Sequence, residues 1–248
     1  MAHASTPPEA VKPLVFDVDT ILDALREAIR LILAADSALL EIIGLSLRVS
    51  GVALAISTLV GIPVGAFLGL KRFVGRPVVL AFLYTGMGFP PVVIGLFVYL
   101  LLSRSGPLGA FGWLFTPTAM VAAQTIIAFP LVAGFTMAAV MGVDPALRQQ
   151  LLALGATPVQ ATWALLLEAR LGVIVAIIAG FGSIISEVGA VMLVGGNIEH
   201  STRVLTTAIV LETRQGDFAL ALALGIILLG LSFIANVAMM RLQGRENV

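Results

Sequence analysis

Long apolar runs alternate with short polar segments along most of this chain, and their lengths predict helices that cross a lipid bilayer. An α-helix needs about 20 residues to cross a hydrocarbon core of about 30 Å. The first run is longer than this, so its helix is expected to tilt or to project beyond the bilayer. We predict five membrane-spanning helices, at 39–70, 77–102, 117–141, 171–194 and 218–240.

A shorter helix with two unlike faces precedes the first span. Within 20–34, apolar residues recur every three or four positions, whereas the opposite face carries Asp23, Arg26, Glu27 and Arg30. This range is too short to span, so it favours a helix lying in the membrane interface, and a soluble helix docked on a partner protein is the alternative. The polar residues before it predict an irregular tail without a cleavable signal peptide.

Neither an internal repeat nor a second domain interrupts this pattern. We therefore predict an all-α polytopic membrane protein with a tail and interfacial helix at 1–38, a single transmembrane domain at 39–241 and a short tail at 242–248.

Composition supports this class and excludes several kinds of site. Hydrophobic residues make up 59% of the chain, against about 45–50% in soluble domains. The formal net charge is zero, so no basic surface indicates nucleic-acid binding. The chain has no cysteine and two histidines, which excludes thiolate metal sites and makes a histidine-built one unexpected. We expect no metal ion and no cofactor in this chain.

The longest polar interruption lies at 142–170 and predicts a short helix that ends at a glycine. Asp144 is suited to the N-cap, and Pro145 fits the first helical position, where a missing N–H costs nothing. Gly155 marks the end of this helix. Its apolar positions form one stripe, made of Leu147, Leu151 and Leu154.

A second short helix is predicted after Gly155. Thr157 and Gln160 have the spacing of a capping box, and a proline between them fits the first turn. Apolar residues then carry the helical pattern through Trp163 and Leu167 into the fourth span. A connector between two buried helices would need the same caps, so this pattern alone does not establish a function.

Prolines and glycines interrupt the spans themselves. In the second span, Pro90 and Pro91 withdraw two backbone donors and leave carbonyls that protein or a water-filled path must satisfy. We therefore predict that both lie beside a translocation path, with a packing kink as the alternative. Glycines in the first and fourth spans predict close helix contacts, at Gly61, Gly65, Gly69, Gly180 and Gly182.

A carboxylate, that of Glu187, lies inside the fourth apolar run. An ionised carboxylate at membrane depth costs at least about 2.5–3.5 kcal/mol, which indicates pairing or gating. Arg48, near the outer end of the first span, is one possible partner, and a protonated structural glutamate is the alternative.

The segment 195–206 follows that span and offers hydroxyls, an amide and a guanidinium, groups that suit an oxyanion. Our candidates for the path or its outer gate here are Ser186, Asn197, Thr202, Arg203 and Thr206. An enzyme site combining Ser183 or Ser201 with His200 would need an acid to orient the imidazole. The sequence places none there and has no nucleophile elbow, so we expect no catalytic residue.

The segment 142–170 resembles the cytoplasmic coupling motif of type I ABC importer permeases, in which Glu-Ala-Ala is followed by three residues and a glycine. Alignment on Gly155 leaves a neutral residue, Gln149, in the acidic place. Docking on an ATPase is therefore expected to rest on the leucine stripe and on shape more than on charge. The coupling residues that the resemblance implies are Asp144, Leu147, Arg148, Gln149, Gln150, Leu151, Leu154, Gly155 and Ala156.

Further blocks resemble the molybdate and tungstate branch of this family, at 103–109, 186–192 and 195–198. The block at 202–209, together with 212–214, is most similar to tungstate-uptake permeases. The resemblance implies a MetI-like fold and import of tungstate or molybdate by alternating access. A stand-alone anion channel or secondary transporter is the alternative, and the sequence does not distinguish the two oxyanions.

The same resemblance implies partners and an orientation. It predicts a homodimer in membrane lipid, two ATP-binding cassette subunits that hold ATP and magnesium, and an extracytoplasmic oxyanion-binding protein. Basic residues divide equally between the two sides of the membrane and do not fix the topology. The resemblance places the coupling segment and the C-terminus in the cytoplasm and the N-terminus outside a cell inner membrane.

Overall fold

The computed structural model describes residues 18–34 and 37–244, and this part of the chain is helical with no β-strand. The all-α prediction is therefore confirmed for the described residues; residues 1–17 of the tail predicted at 1–19 and residues 245–248 lie outside them, whereas residues 18 and 19 belong to the first helix. The helices are α1 (Val18–Ala34), α2 (Ser37–Leu70), α3 (Arg76–Met87), α4 (Pro91–Leu102), α5 (Pro117–Met141), α6 (Pro145–Ala153), α7 (Pro158–Glu168), α8 (Arg170–Ile185), α9 (Gly189–Gly195), α10 (Leu205–Gln215) and α11 (Phe218–Gly244).

Three of these helices, α2, α5 and α11, are long and apolar enough to cross a membrane by themselves. Two bent pairs, α3 with α4 and α7 with α8, raise the number of candidate spans in the described chain to five. The predicted number of spans agrees with this upper count. The last helix continues to Gly244, past the predicted end of the transmembrane domain at 241.

Helix α5 is the centre of the molecule and packs against α2, α8, α3, α4 and α9. Its buried face is rich in small residues, so neighbouring backbones approach closely. A Cβ at Gly65 of α2 would fall on the carbonyl oxygen of Ala133, and one at Gly180 of α8 would lie 2.9 Å from Val132. Gly61 and Gly69 make similar contacts with α5. Gly182 faces open space within the chain, so close contact is not confirmed there.

The second span is broken where the sequence predicted an interruption. The axes of α3 and α4 meet at 102°. The amide of Gly88 donates to Thr85 O at 3.1 Å and ends α3, while Pro91 occupies the first position of α4. The predicted interruption is confirmed. The bend is larger than that of a kinked helix, so α3 and α4 are two separate helices that run in different directions.

The predicted continuous helix from 157 into the fourth span is wrong. Helix α7 ends at Glu168, α8 begins at Arg170, and their axes differ by 72°. Ala169 lies at the bend and is buried in a cluster with Ala66 of α2 and Val140 of α5. The chain turns because tertiary packing fixes Ala169, since the sequence has no glycine or proline at this point.

The fourth span also differs at its C-terminal end. Helix α8 stops at Ile185 and a separate short helix, α9, begins at Gly189. Helix α10, which the sequence pattern did not predict, follows the loop after α9 and packs on α11 and α2. The N-terminal amphipathic helix is confirmed as α1, which packs against α11 and leaves Ile29 and Leu33 exposed. Its position in a membrane interface stays a prediction.

Candidate functional sites

The segment between α5 and α8 begins and ends its first helix as the sequence predicts. The carboxylate of Asp144 accepts a hydrogen bond from the Ala146 amide at 2.8 Å and so caps α6. At the other end, Gly155 has a positive φ of 90°. The amide of Ala156 donates to Leu151 O at 3.0 Å, which completes a Schellman motif around Gly155.

The second helix of this segment is fixed by a reciprocal capping box. The Gln160 amide donates to Thr157 Oγ1 at 3.3 Å, and the Thr157 amide donates to Gln160 Oε1 at 2.8 Å. Helices α6 and α7 are thus joined through defined caps at the glycine. This confirms the predicted local structure of the segment.

The three leucines of the predicted α6 stripe differ in how far the rest of the chain covers them. Leu147 and Leu151 are half-buried, whereas Leu154 is 85% exposed. Two further large apolar side chains that the sequence reading did not select are also exposed here: Val159 at 79% and Trp163 at 65%. Of the other implied coupling residues, Arg148 and Ala156 are half-buried, and the exposed ones are Asp144, Gln149, Gln150 and Gly155.

A cleft separates α6 from the body of the molecule. It has a volume of about 400 Å³ and lies between the end of α5, the start of α6 and the α7–α8 bend. Its lining includes Asp144, Leu147 and Glu168. Within the described chain α6 packs chiefly on α7, and the cleft lies between α6 and the membrane helices.

At the opposite end of α8, Glu187 lies in the break before α9 and not within a continuous span. Its Oε1 accepts a hydrogen bond from the Ala190 amide at 2.8 Å, so the carboxylate caps α9. Arg48 is exposed and forms no ion pair with Glu187 in the described structure. The predicted membrane-depth charge is thus a half-buried helix cap, and its suggested partner does not contact it.

Polar side chains of neighbouring helices bond backbone carbonyls at this break. Gln124 of α5 donates its Nε2 to Ile184 O at 3.0 Å, and Thr206 of α10 donates its hydroxyl to Glu187 O at 3.0 Å. The exposed Ser186 donates its hydroxyl back into α8 at 2.8 Å. The break is therefore a specified structure, held by α5 on one side and α10 on the other.

The loop between α9 and α10, which the predicted orientation places outside and which we call the outer loop, is folded around a buried threonine. Thr202 is fully buried, and its Oγ1 donates to Gly195 O at 2.6 Å and accepts from the Ile198 amide at 2.9 Å. Asn197 and His200 both adopt positive φ angles, of 52° and 56°. This conformation is uncommon outside glycine, although Asn and His adopt it more readily than most residues.

Charged side chains lie on the outside of this loop. Arg203 approaches Glu199 at 3.4 Å, and its Nε is buried without a hydrogen-bond acceptor in the described structure. His200 Nδ1 lies 2.8 Å from Glu41 Oε2 at the start of α2, and this hydrogen bond raises the pKa of His200. The sequence-based expectation that no acid stands beside His200 was wrong, because Glu41 is 159 residues away in the chain.

The α3–α4 break adjoins an apolar cavity of about 350 Å³. Three phenylalanines, at 82, 89 and 97, line it together with Pro130, and Thr85 supplies its one hydroxyl. Pro90 is exposed and Pro91 is half-buried. This surface offers almost no donor to an oxyanion, so it can shape a path more readily than bind the anion. Among the described residues, no group of three His, Asp or Glu side chains could hold a metal ion.

Comparison with known proteins places this geometry in context. Residues 61–247 match the family described as binding-protein-dependent transport system inner membrane component. A probable anion ABC transporter permease protein from Haloferax volcanii is 45% identical over 84% of this chain and 91% of its own length. The tungstate uptake system permease protein TupB from Peptoclostridium acidaminophilum is 38% identical over 91% of this chain and 99% of its own.

A solved structure has the same arrangement of helices. The inward-facing MetNI methionine ABC transporter matches with a TM-score of 0.67 at 19% identity, over 83% of this chain and 94% of that one. At this identity the likeness concerns the fold alone, and it confirms the predicted MetI-like architecture.

Proposed function

This chain belongs to the family of binding-protein-dependent transport system inner membrane components, and we propose that it imports tungstate, or the chemically similar molybdate, as the permease of an ABC importer. Membership makes it a transport subunit with several spans in the inner membrane. The proposal on substrate is supported by the tungstate uptake permease, which matches along almost its whole length.

The proposed mechanism rests on the segment around Gly155, in which both α6 and α7 are capped. It projects α6 beyond a cleft and presents exposed apolar side chains, notably Leu154 and Trp163. Apolar side chains exposed on a polar segment are typical of a protein contact. We assign α6 and α7 to docking on an ATP-binding cassette subunit. Because Gln149 is neutral, we assign charge little role in this docking.

In this mechanism, two copies of the chain enclose the path and each contacts one ATPase subunit, where ATP and magnesium bind. Closure of the ATPase pair moves α6, and the permease opens outward to receive the anion from an extracytoplasmic binding protein. The coupling segment and C-terminus then face the cytoplasm and the N-terminus faces outward. The division into a tail and interfacial helix at 1–38 and a permease domain at 39–241 is part of the same proposal.

At the outer end, the side chains divide into those that can meet the anion and those that shape the loop. Arg203 carries positive charge, Ser186 is exposed, and Asn197 is half-buried in the same loop. Thr202 and Thr206 use their hydroxyls inside the chain, so we assign them to the gate's framework. Glu187 repels an anion by Coulomb's law and is assigned to gating, through its cap on α9. Pro90 and Pro91 set the wall of the path.

Reconstitution tests this proposal. The chain, the ATPase and the binding protein in proteoliposomes should take up tungstate only when ATP is supplied. Gly155→Pro should abolish uptake while the complex still assembles, because proline removes the Gly155 amide from the Schellman motif and cannot adopt φ near 90°. Normal uptake by this variant would refute the coupling role.

Two further arms of the experiment decide the remaining alternatives. Uptake by the chain alone, without ATPase or binding protein, would identify a channel or secondary transporter. Titration of the binding protein with tungstate and molybdate in competition would name the preferred oxyanion.

A further inference from the structure

A small cavity lined by both polar and apolar residues lies behind the α8–α9 break, between α2, α5, α8 and α10. Its lining includes the side chains of Ser46, Ser50, Gln124 and Thr206, all of which are at least 95% buried. The cavity has a volume of about 10 Å³. That is about the space that one water molecule requires, and no tetrahedral oxyanion would fit.

One of these groups lacks a partner that it needs. Gln124 donates its Nε2 to Ile184 O, but its Oε1 is buried and accepts no hydrogen bond in the described structure. A buried acceptor left unpaired costs about 1–3 kcal/mol, so native structures usually satisfy it with protein or ordered water. A donor held in the cavity that Gln124 lines would satisfy this oxygen.

The remaining lining groups can complete the coordination of a water molecule. Thr206 Oγ1 already donates to Glu187 O, and Ser46 Oγ donates to Ile42 O and accepts from the Leu205 amide. Both oxygens can still accept, whereas the hydroxyl of Ser50 can donate. A water that donates to Gln124 Oε1 and to Thr206 or Ser46, and accepts from Ser50, would make about three hydrogen bonds, the usual number for buried water.

We propose that this cavity is a binding site for one structural water molecule, which joins α2, α5 and α10 behind the α8–α9 break. No charged side chain lines the cavity, so an ion has no counter-charge there. The site lies at the N-terminus of α10, where the first backbone amides have no intrahelical acceptor. The inference does not depend on the transported substrate or on ATP.

Substitutions at Ser50 give opposite results for a hydrated and a dry cavity. Ser50→Val fills the space and expels a water, which leaves Gln124 Oε1 unpaired. We expect the purified permease complex to lose about 3–6 °C of Tm. Ser50→Ala, the matched control, keeps the space open and should lose less. If the cavity is dry, Ser50→Val fills a void and should leave Tm unchanged or raise it, which would overturn the proposal.

A double-mutant comparison tests whether Gln124 Oε1 is the acceptor that the water satisfies. In a Gln124→Leu background no amide oxygen remains to be orphaned, so Ser50→Val should cost little or nothing further. An equal loss of Tm in both backgrounds would refute the water's role and indicate overpacking. A structure of the native complex that resolves ordered water should show one peak within hydrogen-bond distance of Gln124 Oε1. A direct bond from Ser50 to Gln124 with no such peak would also refute it.

Discussion

At the scale of single residues, the outer loop commits most of its hydroxyls to its own structure. Thr202 and Thr206 are buried, and both oxygens bond backbone groups within the loop or the helix break. Arg203 is different, because its Nε has no acceptor in the described structure and its guanidinium pairs with one exposed carboxylate, that of Glu199, at 3.4 Å. This loop can therefore attract an anion through the positive charge of Arg203 and not through its neutral hydroxyls.

The contact between His200 and Glu41 predicts a pH-dependent stability. The hydrogen bond raises the pKa of His200 above 6.5. A histidine with a raised folded-state pKa contributes stability that is fully present below its unfolded pKa and is lost as pH rises through the folded value. The Tm difference between the native protein and His200→Gln should therefore be larger at about pH 6 than at about pH 9.

Glu41→Gln is the matched control for this measurement, since it removes the charge that His200 faces while keeping a similar side chain. It should abolish the same pH dependence. A Tm difference between native and His200→Gln proteins that stays constant from acidic to alkaline pH would contradict an ionised contact.

Helix caps, which depend on residues close together in the chain, were predictable from the sequence, whereas contacts between residues distant in the chain were not. The caps at Asp144, Gly155 and Thr157 follow from residues within a few positions, because a cap bonds to the first or last turn of its own helix. The pairing of His200 with Glu41 requires α2 to lie beside the outer loop. Sequence spacing carries no information about that approach.

At the scale of whole helices, length and apolar character were predictable, and changes of direction only partly so. The α3–α4 bend was indicated by two prolines, which remove backbone donors. The α7–α8 bend is made by packing at Ala169, a residue that favours helix, and was therefore missed. Helix α10 was missed because its mixed polar and apolar residues are typical of a loop as well as of a short helix.

The exposed apolar side chains of the α6–α7 segment predict how it binds a partner. Trp163→Ser should weaken binding of the ATPase subunit by about ten-fold or more, because buried tryptophans often dominate interfaces. The Trp163→Ser variant should still fold, because Trp163 is 65% exposed in this chain. Binding can be measured by co-purification and by titration of the ATPase onto the permease in detergent.

Val74→Ser provides the comparison for this variant. Val74 is an apolar residue that is fully exposed, but it lies between α2 and α3. The Val74→Ser substitution should leave the affinity for the ATPase subunit close to native. Equal weakening by both substitutions would indicate general loss of surface hydrophobicity and not a contact at Trp163.

At the scale of the whole molecule, close packing of α2 on α5 holds the core together. A Cβ at Gly65 would overlap the Ala133 carbonyl and approach Thr136 Cβ to 2.9 Å. Gly65→Ala should therefore force the helices apart and destabilise the chain by about 1–3 kcal/mol, visible as a lower Tm. Gly51→Ala, on the same helix with nothing within 4 Å, should not lower Tm. Equal Tm values for the two variants would contradict this account.

The length of α2 has a consequence for motion at the outer face. Its 34 residues extend about 51 Å, well beyond a hydrocarbon core of about 30 Å. Gly65 is clamped on α5, while Glu41 lies about 36 Å away along the axis. Rocking α2 by about 10° around Gly65 would sweep Glu41 through about 6 Å, roughly twice the length of its hydrogen bond to His200. The outer loop must therefore either travel with α2 or release it early in the swing.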